Sequence, residues 1–158
     1  MNVAFLNERL IHSFDAEFFH QRKPYPWHLF QGFLTPDGFE ELQKNFPPFE
    51  LFEKQEGVER LYGQRPHDRL YLMYERPRSK KKVVSAPGKI TDDRLPEPWA
   101  RFIRELNTSA EYHQFVQRLL GVPGFWIRFA WHMGTTGSEV SPHFDSDTKY
   151  GTHIFYFN

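Results

Sequence analysis

The chain has 158 residues, with 20 basic and 20 acidic side chains, so no overall charge argues for nucleic acid or an anionic membrane surface. That length suits one domain with a real core and excludes two ordinary ones. Aromatic residues make up 18%, 17 of them Phe, and there is no cysteine, which argues for a thick β-rich core and leaves only His and carboxylate for any metal.

Glu8 and Arg9 precede any apolar run long enough for a signal peptide, and no stretch reaches membrane-spanning length, so a soluble cytoplasmic protein is expected. Leu6, Leu10, Phe14 and Phe18 stand at near-helical spacing and predict one amphipathic helix over about 5–21. Lys23-Pro24-Tyr25-Pro26 breaks it, and Trp27 to Leu34 reads as a strand. Thr35-Pro36 starts a helix that runs to about Phe46, because Thr can cap and Pro suits the first helical position. Arg69 to Glu75 alternates as a strand does. Arg76 to Glu97 reads as a long loop whose Arg76, Arg78, Lys80, Lys81 and Lys82 form a solvated basic run, with a phosphate-bearing partner as the alternative. Trp99 to Leu106 is a helix, and Thr108-Ser-Ala-Glu111 matches a capping box opening another through Leu120, ended by Gly121 and Pro123. From there the pattern is β-type: Phe125 to Met133, about Val140 to Asp145, and Thr152 to Phe157. The layout is a helical and strand layer over 1–122 feeding a sheet that begins at 123.

His143-Phe144-Asp145 carries the chemistry. On a strand, residues two apart share a face, so the imidazole and carboxylate point the same way. Together they are two of the three ligands of a 2-His-1-carboxylate site, which holds Fe(II) on one face and leaves positions open for reactants. Gly134, Gly137, Ser141 and Pro142 form the turn that delivers this strand. In the next segment Thr152, Ile154 and Tyr156 share one face, and His153, Phe155 and Phe157 share the other. His153 therefore points away from Tyr156. His132 shares a face with Arg128 and Ala130. His12, His20, His28, His67 and His113 sit in helix or loop contexts and read as ordinary.

The run from Arg128 through the glycine turn to His143 and Asp145, followed by Thr152-His-Ile-Phe-Tyr-Phe-Asn158, resembles the iron(II)/2-oxoglutarate dioxygenases of the prolyl 4-hydroxylase-like group. Pro24 to Pro36 is similar to that family's first strand and helix. The resemblance implies an α+β fold, with N-terminal helices packed on an incomplete double-stranded β-helix of jelly-roll or cupin-like layout. It implies His143 and Asp145 as Fe(II) ligands and Tyr156 as a hydrogen-bond donor to the far carboxylate of 2-oxoglutarate; by itself Tyr156 equally suits a core aromatic. A second cosubstrate tyrosine found in members is replaced here by the Trp131-His132-Met133 neighbourhood. The implied reaction couples decarboxylation of 2-oxoglutarate to succinate with dioxygen-dependent hydroxylation of an unactivated C–H bond, with ascorbate as a possible aid. The substrate, a protein side chain or a small metabolite, is not legible.

The family's distal histidine and its basic anchor for 2-oxoglutarate have no counterpart up to Asn158. The expectation is therefore a single domain over 1–158 that forms the N-terminal portion of such an oxygenase and is inactive alone. Two alternatives stand beside it: a non-catalytic jelly-roll binding or assembly module, and a cupin-type metal-binding protein.

Overall fold

The computed structural model describes residues 3–57, 68–76, 84–138 and 147–157. It is an α+β protein whose chain divides into two compact units, one formed by Met1–Phe46, Glu97–Ile127 and Tyr150–Asn158, the other by Pro47–Pro96 and Arg128–Lys149.

The first unit is helical: α1 (Glu8–Ser13), α2 (Ala16–His20), α3 (Pro36–Lys44), α4 (Glu97–Thr108) and α5 (Ala110–Leu120). The single N-terminal helix expected from the apolar spacing is two short ones. Phe14 is extended, and the Asp15 carboxylate accepts from the Glu17 N–H at 2.9 Å, so a fresh cap restarts the helix where the periodicity continues unbroken. Both pieces are tied to α5. Arg118 donates to the Ile11 carbonyl at 3.0 Å, and a His20 ring nitrogen lies 3.0 Å from the Leu119 carbonyl.

Thr35 caps α3 as expected, accepting from the Gly38 N–H at 3.0 Å with Pro36 in the first turn. At its other end α3 leaves carbonyls that no later turn can satisfy. The Trp99 indole N–H donates to the Leu42 carbonyl at 3.1 Å, and the Asn45 amide donates to the Glu41 carbonyl at 2.8 Å. Trp27 to Leu34 is not a strand. Among the described residues its one ladder contact is the isolated bridge Leu6↔Leu34, flanked by Thr35 N–H to Phe5 carbonyl at 2.8 Å and Asn7 N–H to Phe33 carbonyl at 2.9 Å. α5 is capped by Ser109, not Thr108. The Ser109 hydroxyl accepts from the Tyr112 N–H at 3.1 Å, whereas Thr108 bonds back to the Arg104 carbonyl inside α4. Gly121 closes α5 in the left-handed region at φ 65°, as the sequence suggests.

The second unit is built on β2 (Arg69–Tyr74). β4 (Ala130–Met133) pairs antiparallel with it, Leu72 opposite Trp131. β1 (Glu53–Gln55) pairs antiparallel with its first half, and β3 (Lys89–Ile90) pairs parallel with its end, at Met73 and Tyr74. The loop expected over 76–97 thus contains a short strand. Leu72, Ile90 and Trp131 are buried on one face of the sheet, with Leu51, Phe52 and Leu95 also in this unit's core. The β-type run from Phe125 contributes only its last four residues as strand, and Thr152 to Phe157 is extended without joining a ladder.

Gly38 in α3 gives a sharp test. A Cβ there would stand 2.8 Å from the Phe5 Cα and 3.0 Å from the Ala4 carbonyl oxygen, both backbone atoms of the crossing N-terminal segment. Replacing Gly by Ala inside a helix ordinarily stabilises by about 0.5–1 kcal/mol. Here Gly38→Ala is expected to destabilise by about 1–3 kcal/mol, the usual cost of overpacking. A urea melt showing the variant at or above the parent's midpoint contradicts this packing.

Candidate functional site

β4 and the turn after it are described up to Ser138; the strand starts at Ala130, later than the expected Phe125, Gly137 lies in the turn as expected, and Ser141 and Pro142 fall outside the described residues. The Ser138 N–H donates to the Thr135 carbonyl at 2.9 Å, the Ser138 hydroxyl accepts from the Thr135 N–H at 2.9 Å, and Gly137 has φ 84°, which favours glycine. The Ser138 hydroxyl also donates to the Asp68 carbonyl at 3.1 Å, fixing the turn against the start of β2. His143 and Asp145 lie outside the described residues, as do Arg78, Lys80, Lys81 and Lys82 of the basic run and His67. Arg76 is exposed.

Tyr156 is described, and the alternation around it holds without a ladder. Tyr156 is 67% exposed and Ile154 60% exposed, while Phe155 and Phe157 are half-buried. Phe155 packs on Phe33 and Phe102 at centroid distances of 5.9 and 5.5 Å, and Phe157 stacks on Phe39 at 5.2 Å and meets Trp99 at 5.3 Å. An extended segment laid on helices needs the same two-residue period as one in a sheet, because its faces are set by its own backbone. Tyr156 is therefore a solvent-facing phenol, not a core aromatic.

His153 turns the other way, as expected. Its ring lies 4.6 Å from Phe33 and 4.2 Å from Phe155, and its Nδ1 is 3.3 Å from the Tyr112 hydroxyl. Crowding by these rings depresses the imidazole to about 4, while burial pushes the Tyr112 phenol up. Solvent at the residue's exposed surface moderates the depth of the His153 shift and leaves its sign. His132 stands opposite Tyr71 across β2 and β4. Its Nδ1 is 3.1 Å from an Arg69 guanidinium nitrogen, and its ring centroid lies 5.1 Å from Tyr71. Arg69 can only donate, so Nδ1 is the acceptor and Nε2 carries the proton. Arg69 in turn donates to Gln55 at 2.9 Å. Of the two histidines that neighbour the His-x-Asp pair in sequence, His153 packs against rings and exposed His132 contacts Arg69 and Tyr71.

Two polar clusters of the second unit were not legible beforehand. The Tyr74 hydroxyl donates to Asp92 at 2.6 Å; burial, with this carboxylate adding to it, pushes the phenol up to about 12. Thr91, buried to 1% exposure, donates to Asp93 through its hydroxyl and to the Ser85 hydroxyl through its N–H at 3.0 Å. Hydrogen bonds from Thr91 and Ser85 hold the Asp93 carboxyl below the usual range. The first joins β2 to the residues after β3, and the second closes the residues flanking β3 on each other, contacts that no periodic pattern announces.

Among the described residues no group of three or more His, Asp or Glu is placed to hold a metal ion. Comparison with family models, with curated proteins and with solved structures gives no significant match.

Two measurements check this geometry. Phe155→Ala is expected to cost about 2–3 kcal/mol, below the range for a fully buried Phe, while Tyr156→Ala costs within about 0.5 kcal/mol. Equal losses would mean that the alternation is wrong. His153 supplies the pH test. With a folded-state pKa below the unfolded 6.5, the unfolded chain takes up the proton first, so this ring's contribution is intact above about pH 6.5 and is lost as pH falls toward 4. His153→Phe should therefore lose less stability than the parent between pH 7 and pH 4.5. Parallel pH profiles for the two proteins would count against a neutral, ring-packed His153.

Proposed function

We propose that this chain contributes to an Fe(II)/2-oxoglutarate-dependent oxygenase, with His143 and Asp145 as metal ligands and Tyr156 as a hydrogen-bond donor to the cosubstrate carboxylate. The observation that carries the proposal is the order of elements: strand β4, a glycine turn held by Ser138, then the His-x-Asp pair, then an extended segment that presents Tyr156 to solvent. A double-stranded β-helix is the fold proposed for the strand region, with β4 as its opening strand. When bound, the metal would supply the site at which cosubstrate and dioxygen meet. The residues' own tasks are to hold it from one side, to offset part of its charge through Asp145, and to orient the cosubstrate. Tyr156 offers only a neutral hydrogen bond, and charge-assisted bonds are roughly twice as strong.

A second reading is a binding or assembly module without a working site. The two readings separate on metal. For the oxygenase reading, Mn(II) titration of this 158-residue chain should show weak binding that falls further in His143→Ala and in Asp145→Ala. Binding untouched by either substitution would remove the metal assignment. Succinate release with Fe(II), ascorbate and 2-oxoglutarate should stay at background, because misplacing reacting groups by about 1 Å costs on the order of a hundredfold. Robust turnover abolished by His143→Ala would instead establish a complete site within these residues.

A further inference from the structure

Several arginines find partners within the protein. Arg94 pairs with Glu50, Arg101 with Glu97 at 3.0 Å, and Arg118 donates to the Ile11 carbonyl. Arg22, just after α2, does not. Its guanidinium carbon lies 4.7 Å from the Phe18 ring centroid and 4.7 Å from the Trp27 ring centroid. Among the described residues no ion pair involves it, and its Nε is covered without a hydrogen-bond partner. Glu17, one turn earlier, is turned to His20 at 3.9 Å. The neighbouring His28 Nδ1 is likewise covered and unpartnered, and burial, with the Arg22 charge adding to it, keeps that ring's pKa below the ordinary value. The guanidinium thus lies over two aromatic rings, and among the described residues its terminal N–H donors have no acceptor.

Stacking on aromatic faces orients a guanidinium without using its donors, and those donors form a planar fork that matches a carboxylate two-to-two. Around it lie apolar side chains open to solvent: Phe18 at 47%, Trp27 at 45%, and Tyr25 and Leu29 at 65% each. Trp, Tyr and Arg are the residue types that dominate binding energy at protein interfaces. We propose that Arg22 and its aromatic rim form a docking site for an acidic peptide segment, in which one carboxylate engages the Arg22 fork and an adjacent apolar side chain lies on Trp27 and Tyr25. Lys23, exposed beside it, extends the positive charge. The match of one guanidinium fork to one carboxylate, not a broad positive field, selects this partner over a nucleic acid. Strong phosphate-backbone binding rests on about 6–10 neutralised phosphates, whereas this patch offers Arg22 and Lys23 with Asp15 and Glu17 on adjoining α2. The site lies wholly within the first unit and is independent of the oxygenase reading.

The test titrates the full chain with an acetylated, amidated hexapeptide, Gly-Asp-Phe-Glu-Leu-Gly, followed by calorimetry. The same peptide with Asn and Gln replacing its acids is the neutral control, and a twelve-nucleotide thymidine oligomer is the competitor arm. The acidic peptide should saturate with a Kd below about 1 mM and bind at least about tenfold more tightly than the neutral one. Arg22→Gln should erase that difference, and Arg22→Lys should reduce it, since lysine keeps the charge and loses the planar fork. Trp27→Leu should weaken both peptides, and Arg9→Gln, at an exposed arginine on α1, should leave both unchanged. Circular dichroism checks that each variant is folded. Should Arg22→Gln fail to fold, the acidic-against-neutral comparison on the unaltered chain decides. Equal affinity for the two peptides, no saturation, affinity intact in folded Arg22→Gln, or tighter binding of the oligonucleotide would each overturn the proposal.

Discussion

The ring of Phe33 is the contact on which the helical unit depends. It meets Phe30 from its own segment, Tyr112 and Phe115 from α5, and His153 and Phe155 from the extended segment that carries Tyr156. Three stretches far apart in the chain are thus held by one cluster of tilted and edge-on rings, the arrangement aromatic quadrupoles favour. Short helices such as α1 and α2, too brief to be stable alone, persist because they close over this cluster. Segment 151–157 needs no ladder because Phe155 and Phe157 anchor it from below.

That anchoring has a consequence for chemistry. Whatever Tyr156 does, it does from a backbone whose orientation is set by its neighbours' burial. The phenol is free to donate to a ligand because the residues on either side supply the packing. His153 illustrates the opposite assignment. One position shift along an extended chain moves a side chain from solvent to the ring cluster, so His153 lies against the rings of Phe33 and Phe155 and is unsuited to sharing a ligand with Tyr156.

In the sheet unit the corresponding organiser is β2, which takes β4 on one side and both β1 and β3 on the other. Its alternation divides the chemistry. Leu72 faces the core, while Arg69 and Tyr71 face outward with His132. The polar corner of Ser85, Thr91 and Asp93 then fixes the loop leading to β3 by satisfying a buried hydroxyl, which a buried polar group requires. Tyr74 and Asp92 tie the segment after β3 to β2.

Much of this was legible in the sequence for one reason: periodicity and capping are local. Thr35-Pro36 announced α3, Gly121 announced the end of α5, the alternation at 69–75 announced β2, and the alternation at 152–157 placed Tyr156 opposite His153. The glycine turn before His143 was also readable, because positive φ leaves its mark in residue choice. What only the tertiary structure decided was which of several local options won. Phe14 and Asp15 could continue a helix or restart one, and Ser109 or Thr108 could cap α5; hydrogen bonds already made by neighbours settled each. Trp27 to Leu34 has the composition of a strand and no ladder to join, and Thr152 to Phe157 found its partners in helices, not in a sheet. The pairing of Tyr74 with Asp92, the Tyr112–His153 contact and the stacking of Arg22 between Phe18 and Trp27 depend on the folded backbone bringing side chains together, which residue spacing alone does not encode.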